Sequence, residues 1–228
     1  MRHEFLFQLP LANLPYLLGG ALLTLQLAVV ATIGGLLIAI VIAWIRYLRL
    51  PIMTQLAGAY VELMRNTPVL VQLFFGYFAL PSAGINLDPT STAILVFTLN
   101  NSAYMAEIIR GGLSSVGKGA VDAGLSLAMS RTQVFRYVVL PPAIRNVAPA
   151  LANQFIALTL ATSLASQIAA EELTYRATLL EARIFHSFEI YAIVLVMYFV
   201  MAQALMRALD LVLRKTLRRS PQRTIPQL

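Results

Sequence analysis

Charged residues divide this chain into long uncharged windows. Five of them run between Glu4 and Arg46, Arg65 and Asp88, Asp88 and Glu107, Arg145 and Glu171, and Glu189 and Arg207. A helix crosses a hydrocarbon layer of about 30 Å with roughly 20 apolar residues, so each window holds one crossing. The pattern predicts an all-α integral membrane protein with five transmembrane helices near residues 17–45, 66–81, 90–110, 146–170 and 189–213. The uncharged piece from Leu50 to Val61 is too short to span alone and lies at the interface or extends the second helix. Residues 1–16 carry mixed charge, two prolines and no small-residue cleavage pattern, so the first apolar run is expected to stay as a crossing.

Composition agrees with a bilayer. The 228 residues are 59% hydrophobic and 12% charged, with a mean hydropathy of +0.75, too apolar for a soluble domain. The net charge of +7 does not mark a nucleic-acid binder, because the cations sit between apolar runs and are not interleaved with aromatics. With no cysteine there is no disulfide or thiolate metal site, and His3 and His186 are too far apart to suggest a metal pair. With the N-terminus outside, only Arg2, Arg176 and Arg183 of the 17 Lys and Arg fall outside the cell. That asymmetry predicts an external N-terminus and a cytoplasmic C-terminus.

Between the third and fourth crossings lies a polar island, Gly119 to Pro142, within a cytoplasmic loop spanning 111–145. Ala120, Ala123, Gly124 and Ala128 recur at helical spacing and leave one face almost bare, as a docking face requires. A second short helix opens on Ser130, with Gln133 placed for a reciprocal cap, and is expected to end at Pro141 and Pro142. Just before the island, Gly112 to Lys118 mimics a nucleotide P-loop, but Gly119 stands where a hydroxyl must bind magnesium, and no strand precedes it. Glu62 with Arg65, and Glu107 with Arg110, stand one helical turn apart and can pair. Ala31, Gly35, Ala39 and Ala43 form a small-residue ladder for close helix packing. Asn100, Asn101, Gln154, Thr159, Thr162 and Ser163 fall near mid-membrane, where polar groups face the bundle interior, either bonding one another or lining a substrate path.

The island carries a resemblance. Asp122-Ala123-Gly124, then Ala128, then Leu140-Pro141 resemble the "EAA" loop of the membrane subunits of bacterial ABC importers, with Asp122 in place of Glu, Gly124 in place of the second Ala and Ala128 in place of Gly. Arg65 to Phe75 looks like the "RGTPLLVQLFF" segment of the polar amino-acid branch, with Asn66 for Gly. Ala103 to Gly112 resembles its "AYxAE-xx-RGG" run, and Asn153 to Leu164 with the following Glu172-Leu173-Thr174 resembles a further stretch in which Leu160 and Ala161 replace the usual Lys-Asp.

The resemblance implies a permease subunit in a bacterial inner membrane, taking up polar amino acids by alternating access. It implies that Ala120, Asp122, Ala123, Gly124, Leu127 and Ala128 couple to a cytoplasmic ATPase dimer. A second permease subunit, identical or not, and an external substrate-binding protein complete the expected assembly, in a setting of membrane lipid and without nucleic acid. No cofactor is expected in this chain; ATP and Mg belong to the partner ATPase. The external loop from Glu171 to Phe188 offers a surface for the binding protein or is simply solvated. The competing class is an ion-gradient-driven secondary transporter or channel-like protein. That class calls for an intramembrane ionisable relay and an inverted repeat, and the sequence displays neither.

Overall fold

The structure is a computed structural model, and it describes residues 6–217. A short helix α1 (Gln8–Ala12) leads into α2 (Leu14–Leu48), which ends where Arg49 takes a left-handed conformation at φ 54°. Pro51 then opens α3 (Pro51–Asn66), its fixed φ suiting a first turn. Thr67 and Pro68 are extended, because the residue before a proline is driven out of the helical region. Helicity resumes in α4 (Val69–Phe74), a π-turn (Phe75–Ala79) and a 3₁₀ turn (Leu80–Ala83) that stops at Gly84. The helix expected at 66–81 is therefore Val69–Ala83, preceded by a separate helix that takes in the Leu50 to Val61 segment from Pro51 onward.

Asp88 caps α5 (Pro89–Ser114), its carboxylate accepting the Ser91 N–H at 3.0 Å. The polar island folds as α6 (Lys118–Ser126) followed by α7 (Arg131–Gln133), and Ser130 with Gln133 makes the expected reciprocal cap. Pro141 and Pro142 do not end that second helix. A π-turn (Val134–Val139) joins α7 to α8 (Leu140–Ala161), and the prolines occupy the first positions of α8. The wider π-turn takes up the ladder irregularity that two missing donors impose. A 3₁₀ segment (Thr162–Ile168) and left-handed Ala169 follow. The segment expected as a mixed-charge loop is instead α9 (Leu173–Ile184), with Leu173, Ala177 and Leu180 buried, and it precedes α10 (Ser187–Leu217).

By length and composition, Leu14–Leu48, Arg131–Ile168 and Ser187–Lys215 are each long and apolar enough to cross a membrane. Pro89–Ser114 is of comparable length, its apolar residues diluted by Thr, Asn and Ser. α2 and α5 run parallel, and the small-residue ladder is their seam: Ala31, Gly35, Ala39 and Ala43 are all buried. A Cβ on Gly35 would stand 3.2 Å from the Thr98 carbonyl oxygen, so glycine lets the two helices approach this closely without the facing backbone having to give. α10 follows the direction of α2, with Leu17 clustered beside Ile190 and Val194. α3, α4 and α8 run against α5: Tyr60 bonds Ser102, Gln72 faces Asn100, and Gln154 faces Asn101. The bundle thus has one end with α1, α9 and the start of α10, and an opposite end with α6, α7 and the last turns of α2 and α5.

Glu172 ties the first of these ends together. Fully buried, it caps α9 by accepting the Thr174 and Tyr175 N–H groups at 2.9 and 2.8 Å, and it accepts the Tyr198 hydroxyl of α10 at 2.8 Å. Thr24 of α2 accepts the adjacent Leu173 N–H.

Candidate functional site

The break between α3 and α4 opens into a cavity of about 430 Å³. A helix interrupted inside a bundle exposes carbonyls that must find partners, and irregular backbone at such depth is tolerated where it lines a cavity. Here the Met64 carbonyl at the end of α3 accepts from two side-chain amides, Asn100 at 3.0 Å and Gln72 at 3.0 Å. Asn100 also donates to the Gln72 carbonyl oxygen at 3.1 Å, and Gln72 donates to the Thr67 hydroxyl at 2.6 Å. The broken backbone is held open by this amide cluster. Phe97, fully buried, supplies an apolar wall, while Gln154 of α8 closes the opposite side. Arg65 also lines the cavity, its guanidinium 5.4 Å from the centre of the Tyr104 ring.

Of the six mid-membrane polar residues expected from sequence, Asn100 and Gln154 line this cavity. Asn101 is buried behind it and accepts from Gln154 at 2.9 Å, a bond that fastens α5 to α8. The other three turn away. The Thr159, Thr162 and Ser163 hydroxyls donate to carbonyls of their own helix, at Phe155, Thr159 and Leu160, and Thr159 and Thr162 are wholly buried. Sequence reasoning missed Arg65, Gln72 and Tyr104. Arg65 was expected to pair with Glu62; among the described residues it makes no such pair and packs on Tyr104 instead. The available signal was Thr67-Pro68, which marks a break that leaves Arg65 at the end of a helix and not on its flank.

The second candidate surface is α6. Ala120, Asp122, Ala123, Leu127 and Ala128 are exposed, Leu127 by 78%. Gly124 is not part of that face: it is buried, and a Cβ there would stand 3.1 Å from Val134 and 3.6 Å from the Met129 sulfur. Bare helix surface at Gly124 thus seats α6 on its own chain, with Leu127 presented to the outside. Ala128 sits in the left-handed region at φ 58°, and the turn around it closes with Ala128 N–H to Leu125 O at 3.0 Å and Met129 N–H to Gly124 O at 3.2 Å. This is the paired bonding of a Schellman stop, made on a residue with a Cβ.

Among the described residues the chain is all-helical, an apolar bundle broken beside a polar cavity, and its fold is that of a membrane permease. Residues 35–218 match the family described as "Binding-protein-dependent transport system inner membrane component", and the chain belongs to that family of ABC transporter permease subunits. The probable glutamine ABC transporter permease protein GlnP of Bacillus subtilis is 37% identical over 190 residues, covering 82% of this chain and 87% of the relative. The glutamine transport system permease protein GlnP of Escherichia coli K12 is 38% identical over 194 residues (84% and 89%). The B. subtilis L-cystine transport system permease protein TcyB is 38% identical over 169 residues (74% and 72%). Among solved structures, an amino acid ABC transporter crystallised with histidines superposes with a TM-score of 0.88 at 33% identity, covering 94% of this chain and all of that one. An inward-facing MetNI methionine ABC transporter shares the fold, with a TM-score of 0.73 at 20% identity over 87% of this chain and 95% of that one.

Proposed function

We propose that this chain carries a polar amino acid across a bacterial inner membrane, with the cavity at the α3–α4 break as a station on the path. Five crossings make up the bundle: α2, the broken pair α3 and α4, α5, α8 and α10. The alternating directions of these elements support that count, and the distribution of cations supports a cytoplasmic end at α6 with the N-terminus outside. The observation that carries the reading is the interrupted backbone at Thr67-Pro68, bordered by Arg65, Asn100 and Gln154 in one cavity. Discontinuous helices of this kind place main-chain dipoles and polar side chains around a substrate at mid-membrane.

The cavity chemistry favours an amino acid without a cationic side chain. Arg65 supplies one positive charge for the carboxylate, the amides of Asn100 and Gln154 suit a polar neutral side chain, and no carboxylate lines the cavity. This matches relatives named for glutamine and cystine. α6 is the coupling element: Asp122, Ala123 and Leu127 meet the groove of a partner ATPase, which holds the ATP and Mg, while Gly124 seats α6 on Val134. A second permease subunit and an external binding protein complete the working transporter.

The test uses proteoliposomes containing the transporter with its ATPase, supplied with binding protein and ATP. Arg65→Gln and Gln154→Leu should slow uptake or change its selectivity while ATP hydrolysis stimulated by the binding protein is largely kept. Equal loss of uptake and stimulated hydrolysis would assign these residues to packing and remove the cavity from the path.

A further inference from the structure

A second polar cavity, also about 430 Å³, lies at the opposite side of α5 between the last turns of α2 and α5 and the start of α3. Its size falls within the range of small-molecule sites, about 300–1,000 Å³. Three guanidiniums line it, those of Arg46, Arg49 and Arg110. One carboxylate answers them: Glu107 accepts from Arg46 Nη1 at 3.0 Å and from Arg110 Nε at 2.8 Å. The Arg49 guanidinium has no hydrogen-bonding or ion-pair partner among the described residues, its backbone N–H alone bonding the Arg46 carbonyl, and Arg46 Nη2 and Arg110 Nη1 are likewise left over. The cluster therefore holds two positive charges in excess. Arg46 and Arg110 remain reachable, with 24% and 46% of their side chains exposed.

Depth identifies the counter-ion. Trp44 and Tyr47 stack on each other with ring centres 5.9 Å apart and pack against Phe135, and both remain nearly half exposed at the same end of α2. Exposed Trp and Tyr mark the headgroup level of a bilayer. Ala43 and Leu113 make the inner wall of the cavity apolar. A surplus of permanent cations over an apolar wall at headgroup depth is met by an anion that is itself amphipathic, and the planar guanidinium fork matches phosphate oxygens two at a time. We propose that this cavity binds the phosphate of an acidic phospholipid, whose acyl chains leave along the apolar wall. The site is separate from the cavity at the helix break and does not depend on which substrate is carried.

Trp44 is the only tryptophan of the chain and stacks on Tyr47, which lines the cavity, so its fluorescence reports on occupancy. The full-length chain is placed in nanodiscs of phosphatidylcholine, and Trp44 fluorescence is titrated with brominated phosphatidylglycerol or brominated phosphatidylcholine. Phosphatidylglycerol should quench preferentially. Arg49→Gln and Arg110→Gln should each weaken that preference roughly fivefold, whereas Arg207→Gln, an equal change of charge on exposed α10, should leave it intact. Because the Arg49 side chain has no partner to lose among the described residues, its variant tests the site even if Arg110→Gln fails to fold. Equal quenching by the two lipids, or a preference unaffected by Arg49→Gln, overturns the proposal. Relief of quenching by inorganic phosphate without a lipid preference would reassign the site to a free anion and overturn the lipid. Loss of a cytoplasmic protein partner in Arg49→Gln with lipid quenching unchanged would reassign it to a protein contact.

Discussion

Truncating Glu172 to alanine should loosen α9 from the bundle. The carboxylate caps the helix through the Thr174 and Tyr175 amides and holds the Tyr198 hydroxyl, all from a fully buried position. Loss of an N-cap costs about 1 kcal/mol. The buried donors left without an acceptor add about 1–2 kcal/mol, limited because Tyr198 keeps Thr174 Oγ1 at 2.9 Å. The expected total is about 2–3 kcal/mol, read as a melting temperature several degrees lower in detergent and as faster hydrogen exchange at the first amides of α9. Glu172→Gln keeps one acceptor and should recover most of the loss. The two variants also differ from wild type in pH response. Burial pushes the Glu172 carboxyl above the ordinary value of 4.5, against the hydrogen bonds from Thr174, Tyr198, Tyr175 and Thr24 that pull it down. The folded state thus holds this proton more tightly than the unfolded state, so the stability it contributes is full below 4.5 and is lost as pH rises through the folded value. Glu172→Gln should lack that alkaline loss. An Glu172→Ala protein with unchanged melting and unchanged protection at Thr174 and Tyr175 would refute the reasoning.

Other consequences follow from single positions. Gly124→Trp should leave the chain inserted in the membrane but unseat α6 from Val134, abolishing transport and loosening the ATPase, as co-purification and uptake would reveal. Ala128→Gly relieves a Cβ held at φ 58° and should raise stability by up to about 1 kcal/mol in a thermal melt, without lowering uptake. Ala128→Val should do the reverse. The hydrogen bonds from Ser91 hold the Asp88 carboxyl below its usual value, so its stabilising effect is present above that usual value and is lost as pH falls through the folded value. Asp88→Ala should remove this acid-side loss and fray the start of α5 in hydrogen exchange.

How much of this was legible beforehand depended on whether the signal was local. The spacing of Ala31, Gly35, Ala39 and Ala43 names a seam before its partner is known, since only a close helix neighbour explains a bare stripe in an apolar run. The Ser130 and Gln133 cap needs four residues and nothing else. The interrupted pair α3 and α4 was harder. Counting uncharged windows placed its start after Arg65, so the charges Glu62 and Arg65 excluded α3, although Ala57 and Val61 pack with Ala103 and Ala106. Direction of side chains was harder still. Depth drew attention to Thr159, yet its hydroxyl returns to Phe155 O of its own helix, an option every helical threonine has and no spacing rule excludes. Gly124 was read as outward for the same reason: a bare face fits a foreign groove and the chain's own Val134 equally well.

Two of the departures from α-helix in this fold fall at its two candidate sites. Thr67 and Pro68 interrupt the backbone at the cavity holding Arg65, Asn100 and Gln154. The π-turn Val134–Val139 lies between α6 and α8, and it contributes both Val134, the seat of Gly124, and Phe135, whose ring lies 4.9 Å from that of Tyr47 on α2. If α6 couples as proposed, a displacement of it would bear on two elements, α8 along the chain and the end of α2 through Phe135. From α8 the next fixed contact is Gln154 to Asn101, directly behind Asn100 and the broken backbone. A continuous set of packed and hydrogen-bonded groups thus joins the exposed face of α6 to the cavity, with the irregular turns at its two ends and rigid helix between them. Phe135→Ala separates the two branches: it leaves the route through α8 intact and should weaken only the part of coupling that passes through α2, read as partial loss of uptake per ATP hydrolysed.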